Sequence, residues 1–297
     1  MNYKNIELES KIFSSSHLNF FFGAGVNGKS FPQMLGFIKT HQKMFENLGR
    51  EIINFEDDIL ELTDAKIKTV FGVFKKELLD FAENVDYNSS SVKDIESLFQ
   101  NVNKLIVDVE NRTKTTKQVN IYTTNYDKIV ENTIKNLGLL CNVISSSNLD
   151  NHDKFFELIG YDYGTRKFIP TYLISQIHGD LNNPILPSRQ KFDEALQAKR
   201  FEILFKMKTQ LSRSNSLLLV IGYSGRDKHL NSILKDCVTF GLTIYWYRYK
   251  KTDIIPDEIK DNVTIVDQDT EDGEELQNTT LICSEMLKRL WEKPLEE

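Results

Sequence analysis

The chain has 297 residues, 40% hydrophobic and 27% charged, with Lys+Arg 37 against Asp+Glu 43 and a formal net charge of −6. This is the composition of a globular chain with material for a large core: one large α/β domain with an insertion, or about two domains. It excludes global disorder, argues against bulk attraction to nucleic acid or an anionic membrane surface, and its longest apolar runs, such as 217–221, fall far short of the ~20 residues of a membrane span.

The N-terminus, MNYKNIELESKIF, mixes charges without a basic-then-apolar leader pattern, so a cytoplasmic chain is the default expectation. The first strand signal is Leu18–Phe22, running into Gly23. A long helical block, about 31–117, follows. In it Ile59, Leu62, Lys66, Val70, Phe74, Leu78 and Phe81 recur near helical spacing, as do Ile95, Leu98, Phe99, Val102, Leu105 and Ile106. The run Asn88-Ser89-Ser90-Ser91 separates the two sets, with Ser91 the expected N-cap before Asp94. Further strands are expected at Val119–Tyr122, Tyr172–Ile177, Ser216–Ile221, Leu242–Tyr247 and Val263–Val266, with a helix at Lys128–Leu137 after the first of these. Near-continuous apolar strands alternating with helices point to an α/β fold, a Rossmann-like parallel sheet with helices on both faces. The helical block reads as an inserted subdomain. Residues 250–297 carry six basic and fourteen acidic residues, read as a solvated end of the fold, with a partner-binding acidic face as the alternative. Cys141, Cys237 and Cys283 make no disulfide framework and are too few for a four-thiolate zinc site; they read as small buried hydrophobes.

Ligands of open parallel sheets bind beyond the carboxyl ends of the strands, and four polar motifs are expected there. Gly23-Ala24-Gly25 suits a tight turn that brings backbone N–H groups to a pyrophosphate, or a plain strand-to-helix turn. The longer run from Gly23 through Lys29 and Ser30 also spells the phosphate-loop pattern GxxxxGK[ST], which would put Lys29 on phosphates and Ser30 on magnesium. That reading wants an acidic residue closing a central strand, for which Asp267 is the nearest candidate, and it tolerates Pro32 only in a first helical turn. In Thr123-Thr124-Asn125-Tyr126-Asp127, Asn125 offers a donor and an acceptor and Asp127 an anionic acceptor, fit for a carboxamide or a ribose hydroxyl, or equally for a helix cap. His178-Gly179-Asp180 supplies a candidate base or hydroxyl partner, or a structural histidine. Gly222-Tyr223-Ser224-Gly225-Arg226-Asp227 is a second glycine turn leading into a helix, with Ser224 a donor to phosphate or ribose. His17, His41, His152 and His229 lack such a setting and read as structural or surface residues.

These four motifs, in this order, resemble the sirtuin family in its bacterial NAD-consuming branch. The resemblance covers the core from about residue 17 to the last strand, and implies a single catalytic domain over 1–297. Its core would be at about 12–30 and 118–297, with the family's variable helical subdomain at about 31–117. It implies NAD as substrate, with Gly23, Ala24, Gly25, Gly222 and Ser224 on the diphosphate and adenosine ribose. Asn125 and His178 would be the catalytic pair at the nicotinamide ribose, Asp127 would fix the nicotinamide, and Asn27 and Thr124 would complete the binding set. The sequence departs from the protein-deacylating branch in lacking the four zinc cysteines after His-Gly. It has Asn27-Gly28-Lys29-Ser30-Phe31-Pro32 where that branch carries an arginine. Both departures resemble the antiphage NAD-hydrolysing branch.

The expected reaction is cleavage of the nicotinamide–ribose bond to nicotinamide and ADP-ribose, without a metal, as a defence by NAD depletion. The alternatives are a zinc-free deacylase or ADP-ribosyltransferase, a non-catalytic NAD- or ADP-ribose-binding module, and a phosphate-loop triphosphatase. Because constant NAD hydrolysis would kill its host, the resemblance further implies gating by self-association and a separately encoded partner. That partner would be a HerA-type ATPase or, alternatively, a short Argonaute, with no membrane and no direct nucleic-acid contact.

Overall fold

A computed structural model describes residues 17–28, 34–49, 62–107, 119–148, 172–185, 194–250, 255–268 and 277–292. Its frame is a parallel sheet of β1 (His17–Phe22), β2 (Val119–Thr123), β3 (Cys141–Ile144), β4 (Tyr172–Gln176), β5 (Ser216–Ile221), β6 (Thr243–Tyr247) and β7 (Val263–Val266), in the order β3-β4-β2-β1-β5-β6-β7. From β1 the chain steps to β2, crosses to the edge strand β3, fills the gap between them with β4, and then returns to lay β5 on the other side of β1. The β1/β5 boundary is thus the topological switch point, where such sheets leave a crevice at their carboxyl edge.

The central strands are apolar on both faces because both faces are covered. Phe20 and Phe22 of β1 enter one layer, with Ile95, Leu98 and Phe99 of α4 (Ser90–Val107), Ile129 and Ile134 of α5 (Ile129–Asn136), and Ile282, Met286 and Leu287 of α8 (Thr279–Glu292). Phe21 enters the other, with Ile203 and Met207 of α6 (Glu194–Leu211) and Leu230 and Leu234 of α7 (Lys228–Thr239). Each fully buried phenylalanine contributes roughly 1.5–3 kcal/mol relative to exposure. Phe99 anchors the first layer, its ring centroid 6.1 Å from that of Phe22 and 5.4 Å from that of Tyr172. The polar pair inside these strands is joined across the ladder: Asn120 Nδ2 donates to Asn19 Oδ1 at 2.9 Å, and Asn19 Nδ2 to the Leu217 carbonyl at 3.0 Å, while Asn120 Oδ1 has no donor among the described residues.

Beyond the sheet stands a helical subdomain of α1 (Met34–Thr40), α2 (Gln42–Asn47) and α3 (Asp64–Glu83). Phe37 packs on Phe45 and Phe74 at 6.2 and 5.1 Å, His41 pairs with Glu77, and Lys66 Nζ closes the Leu48 carbonyl at 2.6 Å. α4, which shares the helical periodicity, lies on the sheet against α8: Asn101 Nδ2 donates to the Ser284 carbonyl at 3.1 Å and to its Oγ at 2.9 Å.

Several expectations shift. Strand ends move by one residue, β2 gaining Thr123, β4 ending at Gln176 and β6 starting at Thr243. The edge strand β3 was not expected from sequence; its CNVI is only half-buried and shows no apolar run. α4 begins at Ser90, so Ser91 lies inside the helix rather than capping it, and the Lys93 N–H reaches back to the Ser89 carbonyl. Phe81 is 43% exposed and so is no part of the core, and Ile106 is half-buried at its margin. Cys237 and Cys283 are buried, but Cys141 on the edge strand is half-buried. Ile59 and His152 lie outside the described residues. Among the described residues, no helix is long and apolar enough to cross a membrane.

Candidate functional site

Two glycine turns meet at the switch point. β1 runs into Gly23 and a one-turn 3-10 helix, Ala24–Asn27, while β5 runs into Gly222. The Gly23 N–H donates to the Ile221 carbonyl at 3.0 Å, and the Gly25 N–H to the Gly222 carbonyl at 2.9 Å. Side chains are barred from this contact. A Cβ on Gly23 would stand 2.3 Å from the Gly222 oxygen, and one on Gly222, whose φ is +64°, would stand 2.4 Å from the Val26 nitrogen. Ala24 and Ser224 are exposed at the rim, and Ser224 makes no hydrogen bond among the described residues.

The loop after β2 is stitched to the first turn. Asn125, 7% exposed, donates its backbone N–H to Thr123 Oγ1 at 3.0 Å and its Nδ2 to the Gly23 carbonyl at 3.2 Å. Thr124 is half-buried, its N–H on the Phe22 carbonyl at 3.1 Å. Asp127 is buried: Oδ1 accepts from the Ile129 N–H at 2.8 Å and Oδ2 from Asn27 Nδ2 at 2.6 Å. Burial pushes its carboxyl above the usual carboxylate range, and the two donors offset this only in part. Asp127 thus serves both alternatives read from sequence, since it ties the first turn of α5 as well as lying at the crevice. Asn27 is 1% exposed, and its Oδ1 has no donor among the described residues.

The loop after β4 brings His178, 8% exposed, to within 3.2 Å of Asp227, from Nε2 to Oδ2. The same Oδ2 accepts from Nη2 of Arg200 on α6 at 3.1 Å, while Oδ1 caps α7 through the His229 and Leu230 N–H groups at 2.9 and 3.2 Å. Burial alone would raise the Asp227 carboxyl. The hydrogen bond of His178 and, when that ring is protonated, its charge, then the Arg200 guanidinium and the amides, hold it well below the usual range. The His178 ring lies 6.4 Å from that of Tyr126, which also packs on Phe74 of α3 at 5.8 Å, linking the helical subdomain to the site. Asp180 braces the loop, accepting from Ser145 and Ser147 hydroxyls at 2.5 and 2.8 Å and from the Asn182 and Asn183 N–H groups.

The four loops expected from sequence are therefore one hydrogen-bonded network, and Asn125, Asp127 and His178 all belong to it. Two participants were missed. Asp227 was read only as the start of a helix, although its place closing a glycine turn was a usable signal. Arg200 carries no local signal at all. The phosphate-loop reading loses its acidic partner: Asp267 follows β7, three strands from β1, and both its oxygens are taken by Arg248 at 2.6 Å. Lys29, Ser30 and Pro32 lie outside the described residues. Among the described residues, no group of three or more His, Cys, Asp or Glu is placed to hold a metal ion.

Residues 119–262 match the family described as SIR2-like domain. The matched span starts at β2 and takes in the Asn125, His178 and Asp227 loops, leaving out β1, the first glycine turn and the helical subdomain. No curated protein matches the chain. Solved structures similar in outline include one described as "Structural Basis for the Mechanism and Regulation of Sir2 Enzymes", at 10% identity and TM-score 0.49 over 98% of this chain and 99% of that one. Another is "The Structural basis of Sirtuin Substrate Affinity", at 13% identity and TM-score 0.49 over 97% and 98%.

Proposed function

We propose that this chain binds NAD at the switch-point crevice and cleaves its nicotinamide–ribose bond. What supports the reading is the gathering of Asn125, Asp127 and His178 around a glycine cradle too close for side chains, within a segment that matches the SIR2-like family. The cradle suits a pyrophosphate approaching backbone amides. The unpartnered Oδ1 of Asn27, next to Asp127, suits the N–H2 of a carboxamide.

Nicotinamide leaves a pyridinium as a neutral base, so no general acid is required, and positive charge grows on the ribose. The protein's task is to exclude bulk water, hold the ribose and aim the acceptor at the anomeric carbon. Asn125 positions the acceptor or ribose hydroxyls, and His178 is the base or hydroxyl partner. Asn125→Ala and His178→Ala should each lower NAD cleavage by at least ~100-fold in a folded protein. Near wild-type turnover in either would remove that residue from the mechanism.

Two acceptors are in contention. The SIR2-like match favours an acyl-lysine or protein acceptor, hence a deacylase or ADP-ribosyltransferase. The three dispersed cysteines, too few for the zinc set of the deacylating branch, favour water and an NAD hydrolase that depletes NAD in antiphage defence. Incubating the purified chain with NAD, with and without an acyl-lysine peptide, separates them: nicotinamide released equally in both identifies the hydrolase, and peptide-dependent release identifies the acyl-transfer enzyme. A hydrolase of this kind needs gating, and Phe74 on Tyr126 offers a route by which self-association or a HerA-type ATPase could order the helical subdomain over the site. Light scattering with turnover measured alone and with partner tests this; a monomer fully active at high dilution contradicts it.

A further inference from the structure

His178 and Asp227 lie 49 residues apart, on loops that follow strands separated by both β2 and β1. Three strand spacings of ~4.8 Å put the ends of β4 and β5 about 14 Å apart, so a 3.2 Å contact spans the carboxyl edge at the crevice. We infer that Asp227 is the positioning residue of His178: it takes the proton-bearing Nε2, fixes the ring, and leaves Nδ1 as the lone pair available to substrate. This goes beyond the NAD reading in naming the acting atom and its support, and only the use of that lone pair rests on that reading.

The assignment follows from donors and acceptors. An ionised carboxylate only accepts, so the Nε2 facing Oδ2 carries the hydrogen, and the neutral imidazole then has its lone pair on Nδ1. Asp227 is itself immobilised. It is 4% exposed, with Oδ1 engaged by two amides of α7 and Oδ2 shared with Arg200. Arg200 is 5% exposed, and its Nε has no acceptor among the described residues, so Asp227 is the anion that compensates it. The groups facing His178 are Asp227 from the start of α7, Arg200 behind that carboxylate on α6, and the Tyr126 ring from the β2 loop. Asp180, two residues on, is engaged by Ser145 and Ser147.

Asp227 therefore sets the tautomer of the ring, and Arg200 acts on it only through that carboxylate. Nitrogen-15 spectra of histidine-labelled full-length protein, with His178→Gln identifying the ring among the five histidines, read this without reference to any reaction. The wild type should show His178 as the Nε2–H tautomer. In Asp227→Asn, whose side chain can turn either an oxygen or an amide N–H to the ring, that tautomer should give way to a mixture, in Arg200→Gln it should persist, and the other histidines should stay put. In NAD cleavage, Asp227→Asn should lower kcat by about 10–100-fold with little change in KM. An Nδ1–H tautomer in the wild type overturns the proposal even if neither variant folds, as does an Nε2–H tautomer left unchanged in folded Asp227→Asn. The expected tautomers in a protein that cleaves no NAD would uphold the pairing and remove the function proposed above.

Discussion

Asp127 and Asp227 stand at the same edge of the same sheet, each buried and each accepting from the backbone N–H two residues ahead, yet their carboxyls are driven in opposite directions. Asp127 has only neutral donors, the Asn27 amide and a backbone N–H, and burial prevails. Asp227 meets burial too, but an imidazole and a guanidinium share its second oxygen and reverse the outcome. Burial raises each carboxyl, and the number and charge of its partners decide whether that rise is reversed, as four neutral donors already do at Asp180. One half of the crevice is thus suited to recognising an uncharged amide, and the other to managing a proton.

The largest break in this contrast is expected at Asp227. Asp227→Asn keeps a capping oxygen but leaves Arg200 a buried unpaired cation, and should destabilise by about 3–5 kcal/mol in denaturant unfolding at pH 7. Adding Arg200→Gln should recover part of that loss; a double variant as unstable as the sum of both would show that the ion pair is not the cause. The sign of the pH dependence follows from the lowered carboxyl. Its contribution is full above the usual value of 3.8 and fades as pH falls below it, so wild type and Asp227→Asn should converge only in acid.

Gly222 joins the two halves, and Gly222→Ala should cost about 1–3 kcal/mol from its positive φ alone, with more from the overlap at Val26. A variant as stable as wild type, with unchanged affinity for NAD, would disprove the close approach of the two turns. Asp127→Asn should change stability by no more than about 1 kcal/mol at pH 7, and towards greater stability. A raised carboxyl favours the fold below 3.8 and loses that contribution as pH rises through its folded value, a loss the carboxamide escapes. Thermal melts from pH 4 to 8 should show the variant gaining on wild type as pH rises. Asn27→Ala should have an effect of similar size and opposite direction, a loss of about 1 kcal/mol, through the lost bond to Asp127 and a carboxyl driven higher still.

The sheet was legible because parallel strands covered on both faces must be almost uninterruptedly apolar, as Phe20-Phe21-Phe22 and Leu217–Ile221 are. β3 was not, because an edge strand lined by half-buried residues needs no such run. The glycine turns and Asn125, Asp127 and His178 announced themselves because each closes a strand whose end is recognisable. Their neighbours did not. Whether Asp127 faces an amide or Asp227 a cation depends on which helix the crossover lays beside it, and Arg200 reaches the site from the middle of α6, where local pattern marks only a helix. Local sequence by itself determined six of the seven described strands, the carboxyl-end loops and the residue types available for chemistry, since burial and turn geometry act over a few residues. Only the tertiary structure decided which of those residues share a hydrogen bond and therefore in which direction each carboxyl is driven, because that depends on distances between chain segments tens to a hundred residues apart.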